Sequence, residues 1–234
     1  MSCLNNIRGL QLCLHFYVAD NNDFFAPNNS IAVFTPQTNG PSFTSRAGLS
    51  WLPDNNASAE LNPSNIVDGL LYPYNRSLPL YHCPADLSHL DALAGSAESH
   101  LRWRSYNMSQ SINGYPQGNP EYYNIIPAWT KFTEVRHPRP SDLFVFIDES
   151  AKTISDAEFG NPPVGSPDFW QNEWWDVPSD RHMRGANLSF VDGHVEHWKW
   201  VYPKAGDNLG DDVLPQEMPD YQRIQSVMKQ PADD

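Results

Sequence analysis

The dipeptide Asp192-Gly193 constrains this chain more than any other feature, because it stands between two runs suited to strands. Ala186 to Val191 and His194 to Val201 are rich in apolar and aromatic residues. Asp-Gly between such runs is the strongest short-range signal of a two-residue β-hairpin turn. A two-residue turn pairs Val191 with His194, Phe190 with Val195, Ser189 with Glu196 and Leu188 with His197. Leu188, Phe190 and Val195 then form a core wall, while Val191, His194, Trp198 and Trp200 share the other face. A further strand is expected over Leu143 to Asp148, a short run of apolar, aromatic and β-branched residues.

The N-terminal stretch has a different period. Leu4, Ile7, Leu10, Leu14, Tyr17 and Val18 recur three and four residues apart, which predicts a helix over 3–19 with Asn5, Asn6 and Gln11 on its polar side. Asp20-Asn21-Asn22-Asp23 ends it with turn formers. A short second helix is expected over 86–99, capped by Asp86 and carrying Leu87, Leu90 and Leu93. Between 24 and 80 the chain is broken by Pro27, Pro36, Pro41, Pro53, Pro63, Pro73 and Pro79. Loops of that length need tying down, and Trp51, Tyr72, Tyr74 and Tyr81 are the residues expected to do it. After Pro203 the chain turns acidic, as a tail draped over the domain or a frayed end.

Charge narrows the functional classes. With 15 Lys and Arg against 28 Asp and Glu, the 234-residue chain carries a net charge of −13 and no basic cluster for a phosphate backbone or an anionic membrane. No apolar run approaches the roughly 20 residues of a membrane span, and no signal-peptide pattern is present. Charged residues are sparse at 18%, while Pro and Asn are plentiful, which favours an extracytoplasmic setting over a cytosolic one.

Candidate chemistry is thin. His182, Asp192 and His194 are metal-ligand types. However, a strand of about 20 Å separates His182 from Asp192 at roughly 3.3 Å per residue. Asp192 is therefore read as a turn residue, and His182 as fixing the loop that enters the sheet. Gly206 to Asp212 offers oxygen ligands for Ca2+ but lacks the EF-hand spacing and closing Glu. It reads as a solvated acidic turn, so neither metal nor cofactor is expected. Asp148-Glu149 could pass for an acid–base pair, but on a continuing strand their side chains face opposite ways. No nucleophile motif is present, and no catalytic residue is assigned. Trp170, Trp174 and Trp175, with Trp198 and Trp200, could stack on sugar rings, which makes a secreted glycan-binding module the alternative reading. A metal-dependent enzyme is the lesser one. Five N-x-S sequons, at Asn28, Asn56, Asn75, Asn107 and Asn187, matter where exported proteins are glycosylated. Of the cysteines, Cys3 and Cys13 lie about 15 Å apart on a helix, beyond the roughly 7 Å a disulfide spans. Any bridge must use Cys83, or all three are small buried thiols.

Several segments together resemble one family. Cys3-Leu4-Asn5-Asn6-Ile7-Arg8-Gly9-Leu10, followed by Tyr17 to Asn22, looks like the segment after the membrane anchor of pilin-like proteins. His82-Cys83-Pro84-Ala85-Asp86 resembles a Cys-Pro-x-Asp element, and Ser105-Tyr106-Asn107-Met108 a Ser-Tyr-x-x-Asn-like stretch. Pro140-Ser141-Asp142 leading to Asp148, and His182 followed after nine residues by Asp192-Gly193-His194, complete the resemblance to prepilin-type H-x9-DG, pseudopilin-like proteins.

The resemblance implies an α+β, pilin-like fold with an N-terminal helix on an antiparallel sheet, in a single domain. Its parts would be a helix stub (1–22), a loop-rich variable region (23–140), a C-terminal sheet with the hairpin (141–203) and an acidic tail (204–234). It further implies a non-enzymatic filament or pseudopilus subunit of a type II secretion or type IV pilus-like assembly. The partners would be copies of itself and other pilin-like subunits, with membrane contact through an anchor missing from this chain. The helix stripe of Leu4, Ile7, Leu10, Leu14 and Tyr17 would be shared between the subunit's own sheet and its neighbours. In such an oxidising setting the resemblance favours a Cys3–Cys83 bridge.

Overall fold

The computed structural model describes residues 2–28, 32–34, 41–43, 50–53, 63–90, 100–114, 127–154, 156–165, 171–204 and 208–231. Its centre is a five-stranded sheet. The strands are β1 (Tyr106–Ser109), β2 (Phe144–Asp148), β3 (Glu158–Phe159), β4 (Gly185–Phe190) and β5 (Val195–Lys199), in the order β5-β4-β2-β1-β3. Every neighbouring pair is antiparallel except β1 with β3, which is parallel. Helix α1 (Ser2–Asp20) lies on one face and helix α2 (Met218–Gln225) on the other.

The expected hairpin forms, with its register displaced by one residue. Val195 faces Ser189, Glu196 faces Leu188 and His197 faces Asn187. Phe190 N–H donates to the His194 carbonyl (3.0 Å) and Gly193 N–H to the Phe190 carbonyl (2.9 Å). The loop therefore holds three residues, Val191-Asp192-Gly193, with Gly193 at φ 99°. A tight turn closed by a left-handed glycine uses the same Asp-Gly signal as the two-residue form. The one-residue slip exchanges faces along β5. Leu188, Phe190, Trp198 and Trp200 pack together towards α2, whereas Val191 and Val195 face α1. His194 stacks on Phe190 with ring centroids 4.3 Å apart.

Gly193 also sits against the helix, since a Cβ built there would lie 3.0 Å from the His15 ring. Gly193→Ala is therefore expected to cost about 1–3 kcal/mol, the range for a non-glycine residue held in the left-handed region. A lower urea midpoint at unchanged m-value would register it.

Strand β2 is buried throughout because both sheet faces are covered. The register shift between Phe144 and Ile147 is a bulge on β2, where three steps oppose two on β4. It lets Phe144 and Ile147 face α2 while Val145 and Phe146 face α1.

Helix α1 follows the expected stripe with one change of side. Ile7, Leu10 and Leu14 are fully buried, each worth about 1.5–3 kcal/mol of apolar burial. Gln11, expected on the polar side, is also buried. It accepts from Ser189 Oγ (2.9 Å) and meets His15 Nε2 (3.1 Å), whose ring nitrogen reaches the Val191 carbonyl at 2.8 Å. Of the stripe expected to be shared between the chain's own sheet and its neighbours, Ile7, Leu10 and Leu14 are spent within the chain, while Leu4 and Tyr17 are half-buried. The helix's exposed apolar side chains are instead Leu12 and Phe16, one turn apart. Asn22 and Asp23, both at positive φ, carry the chain off the helix as the turn formers predicted.

The segment after 50 clasps the other flank of α1. Trp51 and Tyr81 are fully buried, and Tyr74 donates to Asp20, as the tying role assigned to these aromatics requires. The second helix is corrected. Residues 86–88 are irregular, His89–Leu90 pairs with His100–Leu101 as a short ladder, and the remainder of 86–99 lies outside the described residues. Asp86 caps no helix because its carboxylate is engaged by Ser88 N–H, Ser105 and Arg181. The described part of the acidic tail, 208–231, is draped rather than frayed. Lys204 Nζ meets Asp220 (2.6 Å) and Glu217 (3.7 Å) in the interior, and Ile224, Val227 and Met228 cover the sheet.

Among the described residues no helix is long and apolar enough to cross a membrane.

Candidate functional site

Four elements meet where the start of α1 touches the sheet. Cys3 comes from the first turn of α1, and Cys83 from the bend after a short 3-10 turn (Leu78–Tyr81). Asp148 ends β2, and His182 lies in the turn before β4. Cys3 Sγ donates to Cys83 Sγ at 2.9 Å and also faces Asp148 Oδ2 at 3.8 Å. His182 Nε2 lies 3.2 Å from Cys3 Sγ, 3.3 Å from Cys83 Sγ and 3.0 Å from Asp148 Oδ2. All four ligand atoms fall within 4.8 Å of one another, a convergence close enough to hold a metal ion. Cys3, Cys83 and Asp148 are buried, while the His182 side chain is 21% exposed.

A second ring of contacts fixes these groups. Arg181 holds Asp148 Oδ1 and the Glu149 carbonyl through Nη2, and Asp86 through Nη1 at 3.2 Å. Asp86 in turn accepts from Ser105 Oγ (2.7 Å), which itself accepts from Cys83 N–H (3.0 Å). Tyr106 OH lies 3.0 Å from Cys3 Sγ. Burial opposes the charge on Arg181, but Asp148 and Asp86 outweigh it and keep the guanidinium firmly protonated. Burial likewise works against the Asp86 carboxylate, yet Arg181 and the Ser88 and Ser105 donors hold it below the usual range.

The two thiols are driven apart. Cys83 accepts the Cys3 S–H and, against burial, is pulled down to about 5, with His182 helping. Cys3, the donor, is pushed well up by that bond and by burial. Hydrogen bonding to Asp148 and then to Cys83 lifts His182 to about 9. These shifts favour a protonated His182 beside an ionised Cys83. Such charge-assisted contacts are worth more than neutral ones.

The residues singled out from sequence separate here. His182 belongs to the cluster and does more than fix a loop. Asp192 and His194 remain in the exposed turn, where Asp192 Oδ1 accepts from His194 N–H (3.1 Å) and meets Nδ1 (2.5 Å). Gly193 serves the turn and its close approach to His15. Cys3 and Cys83, for which the resemblance implied a bridge, are brought together as free thiols. Cys13 is buried apart from them, beside Asn75.

The sugar-stacking platform is corrected. Trp174 is a core residue, edge-on to Tyr221 at 4.9 Å and donating to Glu217, so neither ring face is free. Trp198 and Trp200 are buried too, Trp175 is half-buried, and Trp170 lies outside the described residues. Of the sequons, Asn28, Asn107 and Asn187 are buried and unavailable to a glycan. Asn56 lies outside the described residues.

In the proposed Ca2+ loop, residues 205–207 lie outside the described residues. Asp211–Asp212 pairs with Glu173–Trp174 as a short ladder, and Asp211 accepts from Asn208 N–H. Asp148 and Glu149 do diverge. Glu149 is fully buried among Asn107, Thr153 and Arg104, and burial raises its carboxyl well above the ordinary value.

Asp148 was missed as a cluster member because it reads as an ordinary strand end. The available signal was positional: Pro140 to Asp148, Cys83 and His182 all belong to the ordered segments of the family resemblance. Compared with known proteins, the chain matches no family model, no curated protein and no solved structure at a significant level.

Proposed function

We propose that the chain is a non-enzymatic, pilin- or pseudopilin-like subunit that works outside the cytoplasm, in a filament or secretion-type assembly of its own copies and related subunits. The observation that supports this most is the placement of α1. A 19-residue helix lies along the antiparallel part of the sheet beside the hairpin and leaves Leu12 (50% exposed) and Phe16 (56% exposed) on its outward side. A rod bound to its own sheet along one side, with two large apolar side chains one turn apart on the other, suits lateral packing against a second rod. The proline-broken middle of the chain would form the variable outer surface.

Immunoelectron microscopy and fractionation of source cells, with antibody raised against the purified chain, test this reading. The expected result is label on polymeric structures at or beyond the cell envelope, with Leu12→Asp/Phe16→Asp chains folding normally but failing to enter them. Label confined to the cytoplasm, or unchanged entry of the double variant, would count against it.

A further inference from the structure

The geometry points to a zinc site: Cys3, Cys83, Asp148 and His182 bind one Zn2+ in a closed, four-coordinate centre that pins the first turn of α1 to the sheet. This goes beyond the assembly reading and does not depend on it.

The decisive feature is that three different groups converge on one nitrogen. A Cys-His-Asp triad uses both imidazole nitrogens, one towards the nucleophile and the other towards the carboxylate. Here Nε2 alone faces Cys3 Sγ, Cys83 Sγ and Asp148 Oδ2, at 3.2, 3.3 and 3.0 Å. One N–H shared among three partners is well aligned with one of them at most, whereas a cation between them is served by all four groups at once. A Cys3–Cys83 disulfide would use two of the groups. It would leave His182 Nε2 and Asp148 Oδ2 as a pair at 3.0 Å outside the bridge, whereas one ion engages all four groups.

The donor set then selects the ion. Two thiolates, an imidazole and a carboxylate suit borderline-soft Zn2+, while Ca2+ and Mg2+ take oxygen ligands. With Zn–S near 2.3 Å and Zn–N or Zn–O near 2.0–2.2 Å, a tetrahedron has edges of about 3.3–3.8 Å. The distances to His182 and from Cys3 to Asp148 need to change by a few tenths of an ångström at most. The sulfurs must part by about 0.9 Å from their 2.9 Å separation. Binding releases the thiol and imidazolium protons to solvent as the ion replaces them.

The supporting contacts match what zinc ligands ordinarily have. Arg181 holds Asp148 by Oδ1 and leaves Oδ2 to the ion, and Tyr106 OH steadies Cys3 Sγ. The partly exposed His182 ring gives the ion its way in. With all four positions supplied by protein, no place remains for a reactive water, so the centre is structural.

Anaerobic titration of the reduced, metal-free chain with Co2+ tests the site. One equivalent should bind with thiolate-to-cobalt charge-transfer absorption and the intense visible bands of a four-coordinate ion. Cys83→Ser, which leaves Cys3 as the one thiolate, should lose at least half of that absorption, and Cys13→Ser should keep all of it. Tyr106→Phe should weaken binding about tenfold, the lower end of second-layer effects. Should Cys83→Ser fail to fold, zinc X-ray absorption of the unaltered chain decides. Two sulfur neighbours near 2.3 Å with two nitrogen or oxygen neighbours near 2.0 Å are expected. An all-nitrogen/oxygen shell, no charge-transfer band in the reduced chain, or equal loss in Cys13→Ser would overturn the proposal. So would a chain isolated with a Cys3–Cys83 disulfide that takes up no cobalt after reduction.

Discussion

Replacing Arg181 by methionine should destabilise the reduced, metal-free chain by about 3–5 kcal/mol, the cost of breaking a buried ion pair from one side. Arg181 is shared between two carboxylates whose side chains are almost wholly enclosed, Asp86 at 2% exposure and Asp148 at 0%. Methionine fills much of the same volume and removes the charge. Asp86 then lies in the interior without its cation, Asp148 keeps His182 alone, and the Glu149 carbonyl loses its donor.

Arg181→Lys should recover part of the loss. A single ammonium keeps the charge but cannot span both carboxylates with a planar fork. The loss should also depend on pH in a fixed direction. Asp86 is held below its ordinary value in the folded chain, so its pairing contributes above about pH 3.9 and fades as pH falls through the depressed value. The difference between Arg181→Met and the unaltered chain should therefore be largest near neutrality and shrink in acid. Urea midpoints measured across that range would show it.

Trp51→Ala should cost a similar amount, about 3–5 kcal/mol, through the cavity left by the largest buried side chain of the proline-broken region. Trp51 stands edge-on to Phe146 of β2 at 5.3 Å and stacks beside Tyr81 at 6.5 Å, so it joins the segment after 50 to the sheet. Its indole N–H donates to Asn28 Oδ1 at 2.9 Å, and Asn28 in turn donates to the Met108 and Ser109 carbonyls of β1. Alanine removes the packing and leaves that buried amide oxygen without its donor. Trp51→Phe keeps most of the packing and loses the N–H, and should cost about 1–3 kcal/mol. Circular dichroism during urea unfolding separates the two, since seven other tryptophans mask the fluorescence change at this one.

Legibility in the sequence followed the range of the interactions. Helix α1 could be read because its period is local, and Ile7, Leu10 and Leu14 face the sheet as that period requires. Gln11 was assigned to the wrong side because its partner, Ser189, is 178 residues away. The hairpin could be placed, but Asp-Gly fits both a two-residue loop and a three-residue loop closed by a left-handed glycine. That one-residue ambiguity exchanged the faces of β5.

Trp174 looked free because its enclosing partners, Tyr221 and Glu217, lie in a tail that reads as acidic and solvated. The cluster was half visible. Cys3, Cys83 and His182 each stood out as residue types, yet they are brought together by the tertiary fold, 80 and 99 residues apart along the chain. Asp148 was legible only as a strand end beside Glu149, with nothing local to tie it to the cysteines.

Helix α1 is part of the folded body, held by apolar contact along β4 and by the buried cluster at its first turn. Amide hydrogen exchange across residues 2–20, followed by mass spectrometry, measures this most directly. Protection of the helix interior equal to that of β2 and β4, released only with global unfolding, is the predicted result. Exchange in 2–20 at the rate of an unstructured chain, while β2 and β4 stay protected, would contradict it.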